Sequence, residues 1–278
     1  MPIITMFKKF LRYAIGFVLL AAIIASFILN KVFLFCVSVF FIIIAMVEYR
    51  NMFKNMNIHP HKFLPELIGS ISAYTFTFSS EAIEQSIIFP LIILGTILSF
   101  SITIVFNKKP YLETSLSTIS AILMIMCGLY IIKLTYYFED NTSALLVLIY
   151  FTAVLCADFT ASKIGPLYKK IKLAPDISPN KTLLGAVIHV ISSCITCCFL
   201  EFYINISLWQ CILLGFFISV FAQLGDLTVS LFKRSLGLKH SGNFFYNYGG
   251  VLDRMDAFIF SAPAAYYFLY YISYSAIF

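Results

Sequence analysis

Apolar residues dominate this chain in long blocks, and the polar positions are gathered between them. Runs near 13–29, 32–47, 64–80, 86–106, 114–134, 143–157, 182–200, 208–225 and 256–275 are almost free of charge. Several approach or exceed the roughly 20 residues that cross a hydrocarbon core as a helix. The pattern predicts an all-α, polytopic membrane helical bundle of about nine transmembrane helices. The run at 64–80 is the weakest, being rich in Ser and Thr, while those at 32–47 and 143–157 are short and need flanking residues to span. The first run follows Lys8, Lys9 and Arg12 but continues to Asn30-Lys31 with no small-residue cleavage motif, so it reads as a retained helix rather than a cleaved signal.

Composition agrees with this pattern. Hydrophobic residues make up 61% of the 278 positions and charged residues only 12%, with a mean hydropathy of +0.93, which excludes an ordinary soluble domain. Placing the N-terminus inside leaves only Lys31 and Lys133, of the 19 Lys and Arg, on the far side. The positive-inside rule therefore predicts a cytoplasmic N-terminus. The net charge of +6 then reports orientation and calls for no nucleic-acid partner. Seven cysteines lie mostly within apolar runs. Cys194 and Cys197, with His189 as the one nearby further ligand, read as small packing residues rather than a metal site. His59 and His61 read as solvated loop residues, and Glu66 as a helix-end carboxylate.

The chemistry concentrates after residue 157. The sequence reads as a single integral membrane domain over 1–278, with 1–140 supplying scaffold and lipid-contact helices and 141–278 the catalytic half. Two cytoplasmic segments stand out. In the first, from Asp158 to Thr182, Pro175 and Pro179 predict a fixed, non-helical loop. Ser178 or Thr182 then serves either as an N-cap or, with Lys181, as part of a phosphate cradle at a helix start. In the second, Asp226 and Ser230 are spaced i, i+4, and Lys233 and Arg234 continue the stripe if the helix extends into the cytoplasm. A Gly- and Asn-rich loop follows, and then Asp253-Arg254-Met255-Asp256. Helix capping explains one Asp before an apolar run, but not two with Arg254 between them. Carboxylates suit a divalent cation, and bases suit phosphate. Together they point to phosphoryl or nucleotidyl chemistry at a bilayer surface.

These residues give the chain a familiar look. Ser230, Lys233, Arg234 and Lys239, then Gly249, Gly250, Asp253, Arg254 and Asp256, resemble the signature of the phosphatidate cytidylyltransferases, also called CDP-diacylglycerol synthases. Gly225-Asp226 and the stretch Ala174 to Thr182 are similar to that family as well. The resemblance implies transfer of a cytidylyl group from CTP to phosphatidic acid, with pyrophosphate released. It implies Mg²⁺ as cofactor, held by Asp226 and Asp253 with Asp256 in support. Asp226, Lys239, Asp253 and Asp256 are then the catalytic set, and Ser178, Lys181, Thr182, Ser230, Lys233, Arg234 and Arg254 the substrate-binding set. It further implies a multi-pass protein of a bacterial inner membrane whose site faces the cytoplasm, with membrane lipids as surroundings and a homodimer as assembly. Two positions depart from the family pattern: His240 stands where an Asp is expected, and Tyr248 where a His is. They motivate an alternative, a family member with lost or altered activity that binds lipid or a partner. A CTP-dependent kinase of a lipid alcohol is the other alternative.

Overall fold

The computed structural model describes residues 31–136, 142–168, 171–203, 206–242 and 249–275. The apolar run at 13–29, its preceding Lys8, Lys9 and Arg12, and Tyr246-Asn247-Tyr248 lie outside the described residues.

Eight of the expected apolar runs form helices: α1 (Lys31–Phe53), α2 (Leu64–Phe78), α3 (Glu81–Val105), α4 (Tyr111–Thr135), α5 (Thr142–Ile164), α6 (Leu183–Cys197), α7 (Leu208–Ser235) and α8 (Leu252–Ser275). In hydrocarbon every backbone amide and carbonyl must be satisfied within the segment, and a helix does this without a partner. Six helical stretches among the described residues are long and apolar enough to cross a membrane, and the protein is multi-pass. α2 is not one of them: its 15 residues reach only about 22 Å at 1.5 Å per residue, against a core of about 30 Å. α8 is long, but its first turns carry Asp253, Arg254 and Asp256. The short runs at 32–47 and 143–157 do extend, to 23 residues each.

The all-α expectation needs one amendment. The Pro175–Pro179 segment is non-helical, as its prolines dictate, but it is an antiparallel hairpin of β1 (Lys172–Ala174) and β2 (Ser178–Thr182). Pro cannot donate to a ladder, so its place in a two-stranded edge is the tolerated one.

Two cores hold the bundle. One joins α5, α6, α7 and α8 through Val154, Cys197, Leu214, Ile218, Ala222 and Ala262. The other joins α1, α2, α4, the C-terminal part of α7 and the start of α8 through Met46, Tyr49, Ala73, Leu129, Val229 and Leu252. α7 and α8 approach closely at Gly225, where an added Cβ would stand 2.4 Å from the Asp256 carbonyl oxygen and 2.9 Å from Phe260 Cβ. Lipid tails provide little hydrophobic drive between helices, so such small-residue contacts, with their dispersion gain, carry the packing.

Buried polar pairs join the helices elsewhere. Lys133 pairs with Glu84 across α4 and α3, with the Phe76 and Tyr266 rings 5.8 and 5.4 Å from its Nζ. Glu66 sits in the first turn of α2, the helix-end position expected, and pairs with Arg50. His59 is exposed. His61, expected to be solvated, is instead 3% exposed: its Nε2 lies 3.1 Å from the Ser99 carbonyl oxygen and 3.0 Å from Thr103 Oγ1. The loop folds back over α3 and α4, where Ser and Thr replace apolar residues and give the ring polar partners.

Candidate active site

The sequence places most chemistry-bearing side chains on two helix ends, and the contact at Gly225 brings those ends together. Asp226 lies on α7 one residue beyond the contact. Its Oδ2 is 2.5 Å from Lys181 Nζ of β2, and its Oδ1 accepts from Ser230 Oγ at 3.3 Å. The i, i+4 stripe is therefore real, and the hairpin supplies its cation. Both partners keep about a third or a quarter of their side chains open, 32% for Asp226 and 26% for Lys181.

Lys233 and Arg234 separate instead of sharing that stripe, because adjacent helical residues point about 100° apart. Lys233 turns inward, its Nζ donating to Asp253 Oδ1 at 2.6 Å. Arg234 turns outward: its Nε donates to the Ile177 carbonyl oxygen at 3.2 Å and its guanidinium also reaches the Leu238 carbonyl oxygen at 3.4 Å. Arg234 thus ties the hairpin to the end of α7.

Asp253 is the most heavily engaged carboxylate. Besides Lys233, its Oδ2 accepts from the backbone amides of Ser241 at 2.9 Å and Gly250 at 3.2 Å. His240 Nδ1 stands 3.8 Å from the same oxygen. Gly249 has φ +90°, and an added Cβ there would lie 2.5 Å from that oxygen. Only glycine takes such a conformation without strain, so the paired glycines let the loop close over the carboxylate. Burial pushes the Asp253 carboxyl up, but the Lys233 ammonium and the two amides outweigh it and hold the group below its usual range.

The remaining residues take varied places. Asp256 is buried one turn deeper, accepts from the Ala257 amide at 2.8 Å, and lies within electrostatic reach of Asp226, Asp158 and Lys233. Arg254 is half-buried in the first turn of α8, and Lys239 and His240 are exposed. Ser178 is half-buried in β2. Thr182 is the N-cap of α6: its Oγ1 accepts from the Gly185 amide at 3.0 Å and donates to the Gly165 carbonyl oxygen at 2.9 Å. Of the two readings open for Thr182, the cap is the one its hydroxyl serves.

Sequence reasoning missed two contributors. His189 bridges Ser219 Oγ at 2.6 Å and Asp158 Oδ1 at 3.2 Å, joining α5, α6 and α7 beneath the site. It faces these groups rather than Cys194, whose thiol donates to the Ile212 carbonyl oxygen. Glu48, from α1, is 5% exposed and accepts from the Leu252 amide at 3.0 Å. Its signal was a carboxylate directly at the end of the apolar run at 32–47, where charge next to a membrane is informative.

Chemically, this end of the bundle offers carboxylates, ammonium and guanidinium groups and helix-start amides side by side. Among the described residues no three His, Cys, Asp or Glu side chains form a ready metal cage. Mg²⁺ in phosphate-handling sites commonly uses one or two carboxylates and completes its shell with substrate phosphates and water, and Asp226, half-open and beside Asp256, fits that mode.

The chain is 29% identical over 230 residues to a phosphatidate cytidylyltransferase of Staphylococcus epidermidis, covering 81% of this chain and 86% of that one. It is 39% identical over 131 residues to the phosphatidate cytidylyltransferase of Staphylococcus haemolyticus, covering 46% of this chain and 50% of that one. For the Synechocystis phosphatidate cytidylyltransferase the figures are 36% over 130 residues, 46% and 44%. In the latter two the chain spans about half the length of the relatives it matches. The model of the cytidylyltransferase family matches residues 10–272, nearly the whole chain, and the protein belongs to that family.

Proposed function

We propose that this protein transfers the cytidylyl group of CTP to phosphatidic acid, forming CDP-diacylglycerol and releasing pyrophosphate. The observation that carries this reading is the meeting of Asp226–Lys181 and Lys233–Asp253 at one end of α7 and α8, in a chain of the cytidylyltransferase family whose relatives bear the name phosphatidate cytidylyltransferase. A phosphate oxygen of the lipid attacks the α-phosphorus of CTP, and the bond to the β-phosphate oxygen breaks. Transfers of this kind depend mainly on positioning and charge neutralisation.

This chain's residues divide that work. Lys233, Arg234, Lys239 and Arg254 neutralise the triphosphate and the lipid phosphate. Ser178, Lys181 and Ser230 orient phosphate oxygens, while Thr182 holds the start of α6. Asp226, with Asp253 and Asp256 in support, would hold Mg²⁺, and the ion would neutralise charge developing on the phosphates. Asp253 is oriented by the amides on its Oδ2 and by Lys233 on its Oδ1, so it would reach the ion only if Lys233 turned to phosphate. The Lys181–Asp226 and Lys233–Asp253 pairs then act as stand-ins for the substrate-loaded arrangement: each ammonium leaves its carboxylate for a phosphate.

The same reading includes about nine spans, a cytoplasmic N-terminus and a site facing the cytoplasm. What supports it is the distribution of Lys and Arg, all but Lys31 and Lys133 falling on one side. A bacterial inner membrane and a homodimer through membrane helices complete the proposal.

The test uses membranes expressing the full chain, supplied with phosphatidic acid, Mg²⁺ and CTP labelled in the cytosine ring. Label entering the lipid phase with release of pyrophosphate is expected. Release of CDP with no cytosine in the lipid indicates a lipid kinase instead. No transfer by the natural chain, with transfer gained by His240→Asp combined with Tyr248→His, indicates a family member whose activity has lapsed.

A further inference from the structure

We infer that Glu48 is a positioning residue for the charged site, reaching from α1 to set the loop and helix start that hold Asp253. What the positioned groups accomplish rests on the cytidylyl transfer proposed above; the positioning itself rests on geometry. Glu48 belongs to the half of the chain that otherwise supplies scaffold, and its contact with the site spans 204 residues of sequence.

Three observations converge on it. Its Oε2 accepts from the Leu252 amide at 3.0 Å, the first amide of α8. Helix-start amides have no partner within the helix, and a carboxylate there also gains from the helix dipole. The described ends of the loop, at Gly242 and Gly250, leave room for the same side chain. An added Cβ at Gly242 would stand 2.8 Å from Glu48 Cδ, Cγ and Oε1, and one at Gly250 would stand 2.2 Å from Oε2. Both positions lack a side chain where Glu48 occupies the space. Finally, these glycines border the amides that grip Asp253. Ser241, next to Gly242, and Gly250 itself donate to Asp253 Oδ2, and Asp253 Oδ1 in turn holds Lys233 at 2.6 Å.

Glu48 therefore fixes both peptide segments that orient Asp253, and through Asp253 it fixes Lys233. Burying a carboxylate is unfavourable unless its oxygens are paired, so a side chain needed only to fill space between α1 and α8 would be apolar. The second glycine of the signature also acquires a reason: Gly250 makes room for a carboxylate from a distant helix.

The experiment uses the whole purified protein in detergent or nanodiscs. It compares Glu48→Ala, Glu48→Gln, Gly242→Ala, the Glu48→Ala/Gly242→Ala double variant, and Met46→Ala as an apolar core change in the same helix. One readout is the rate at which a small acylating ester labels Lys233, followed by mass spectrometry; the other is kcat and KM for CTP. In Glu48→Ala, Lys233 labelling rises severalfold and kcat falls about tenfold or more, the loss expected of one hydrogen bond to a charged group. Glu48→Gln keeps an oxygen for the Leu252 amide and restores most of both. Gly242→Ala is damaging alone and milder when Glu48 is shortened, because every close neighbour of its Cβ belongs to that side chain. Wild-type labelling and kcat in Glu48→Ala overturn the assignment. So does Met46→Ala raising Lys233 labelling as much, or strict additivity in the double variant. Should Glu48→Ala fail to fold, Glu48→Gln and Gly242→Ala decide by the same labelling. Because labelling needs no turnover, a chain that transfers no cytidylyl group refutes the reaction while Lys233 still decides the role of Glu48.

Discussion

Replacing Asp253 by Asn tests the centre of the site with almost no change of shape. Lys233 and Asp253 side chains are 12% and 10% exposed and their charged atoms are 2.6 Å apart, so the pair is shielded from water. Removing one partner of a buried pair leaves an uncompensated charge and costs about 3–5 kcal/mol. Asn also has one carbonyl oxygen where Asp has two. It can accept from the Ser241 and Gly250 amides or face Lys233, but it cannot do both, and its NH₂ then meets another donor. If about 3–4 kcal/mol of this reaches the transition state, turnover falls by roughly 100-fold to 1000-fold, at 1.36 kcal/mol per tenfold. Turnover is measured as cytosine label entering lipid, and stability as thermal unfolding in detergent. The double variant Asp253→Asn/Lys233→Met removes the orphaned charge. It is expected to recover stability relative to Asp253→Asn, with a coupling on the order of 2 kcal/mol, and to remain inactive. Turnover within about threefold of wild type in Asp253→Asn, against the loss just worked out, would refute the metal and phosphate roles. A double variant no more stable than the single would refute the buried-pair argument. Acid tolerance follows from the same contacts: the folded carboxyl is held below its ordinary range. The stability it contributes is therefore present above the ordinary Asp value near 3.9, and is lost only as pH falls through that value toward the folded one.

Two further outcomes follow from packing and burial. Gly225→Val forces a Cβ to within 2.4 Å of the Asp256 carbonyl oxygen, a backbone atom that cannot swing aside; α7 and α8 must part, lowering stability by about 1–3 kcal/mol or more, and an unchanged unfolding temperature in detergent would contradict the close approach. His61, in the loop before α2, is held below its usual value first by burial, with the Ser99 carbonyl opposing and Lys108 adding to the depression, so its contribution is complete above the ordinary His value near 6.5 and is lost as pH falls below it; His61→Gln should flatten the unfolding temperature between pH 7.5 and 5.5, and identical slopes in the two proteins would rule His61 out as the titrating group.

The charges retained inside the apolar bundle share a logic. Glu84–Lys133 and Asp158–His189 join consecutive helices, and Glu48–Leu252 joins α1 to α8. In a medium with little hydrophobic drive between helices, a polar contact that must be satisfied helps select one arrangement among many similar ones. The site inherits that order: Asp226 is presented by α7 against the hairpin, and Asp253 by α8 against a loop that α1 supports.

The sequence by itself determined the helices and the polar positions gathered at their ends. Long uncharged runs admit little else than helices, since backbone groups in lipid must pair locally, and eight described helices fall on the runs read from hydropathy. Asp226, Lys233, Asp253 and Asp256 were visible because charge near a membrane is expensive and seldom idle, and Ser230 by its i, i+4 spacing from Asp226. The pairing was decided by tertiary structure. Lys233 and Arg234 are neighbours in sequence, yet one is bound to Asp253 and the other to the hairpin, because helix phase sends them to different neighbours. Lys181 reaches Asp226 only because the Pro175–Pro179 segment folds back as strands. His61 became buried because a loop that looks polar in one dimension lies over hydroxyl-lined helices in three. Glu48 shows the limit most clearly. A carboxylate at the end of a hydrophobic run needs something to satisfy it, but only the packing of α1 against α8 brings the Leu252 amide, from 204 residues away, to do so.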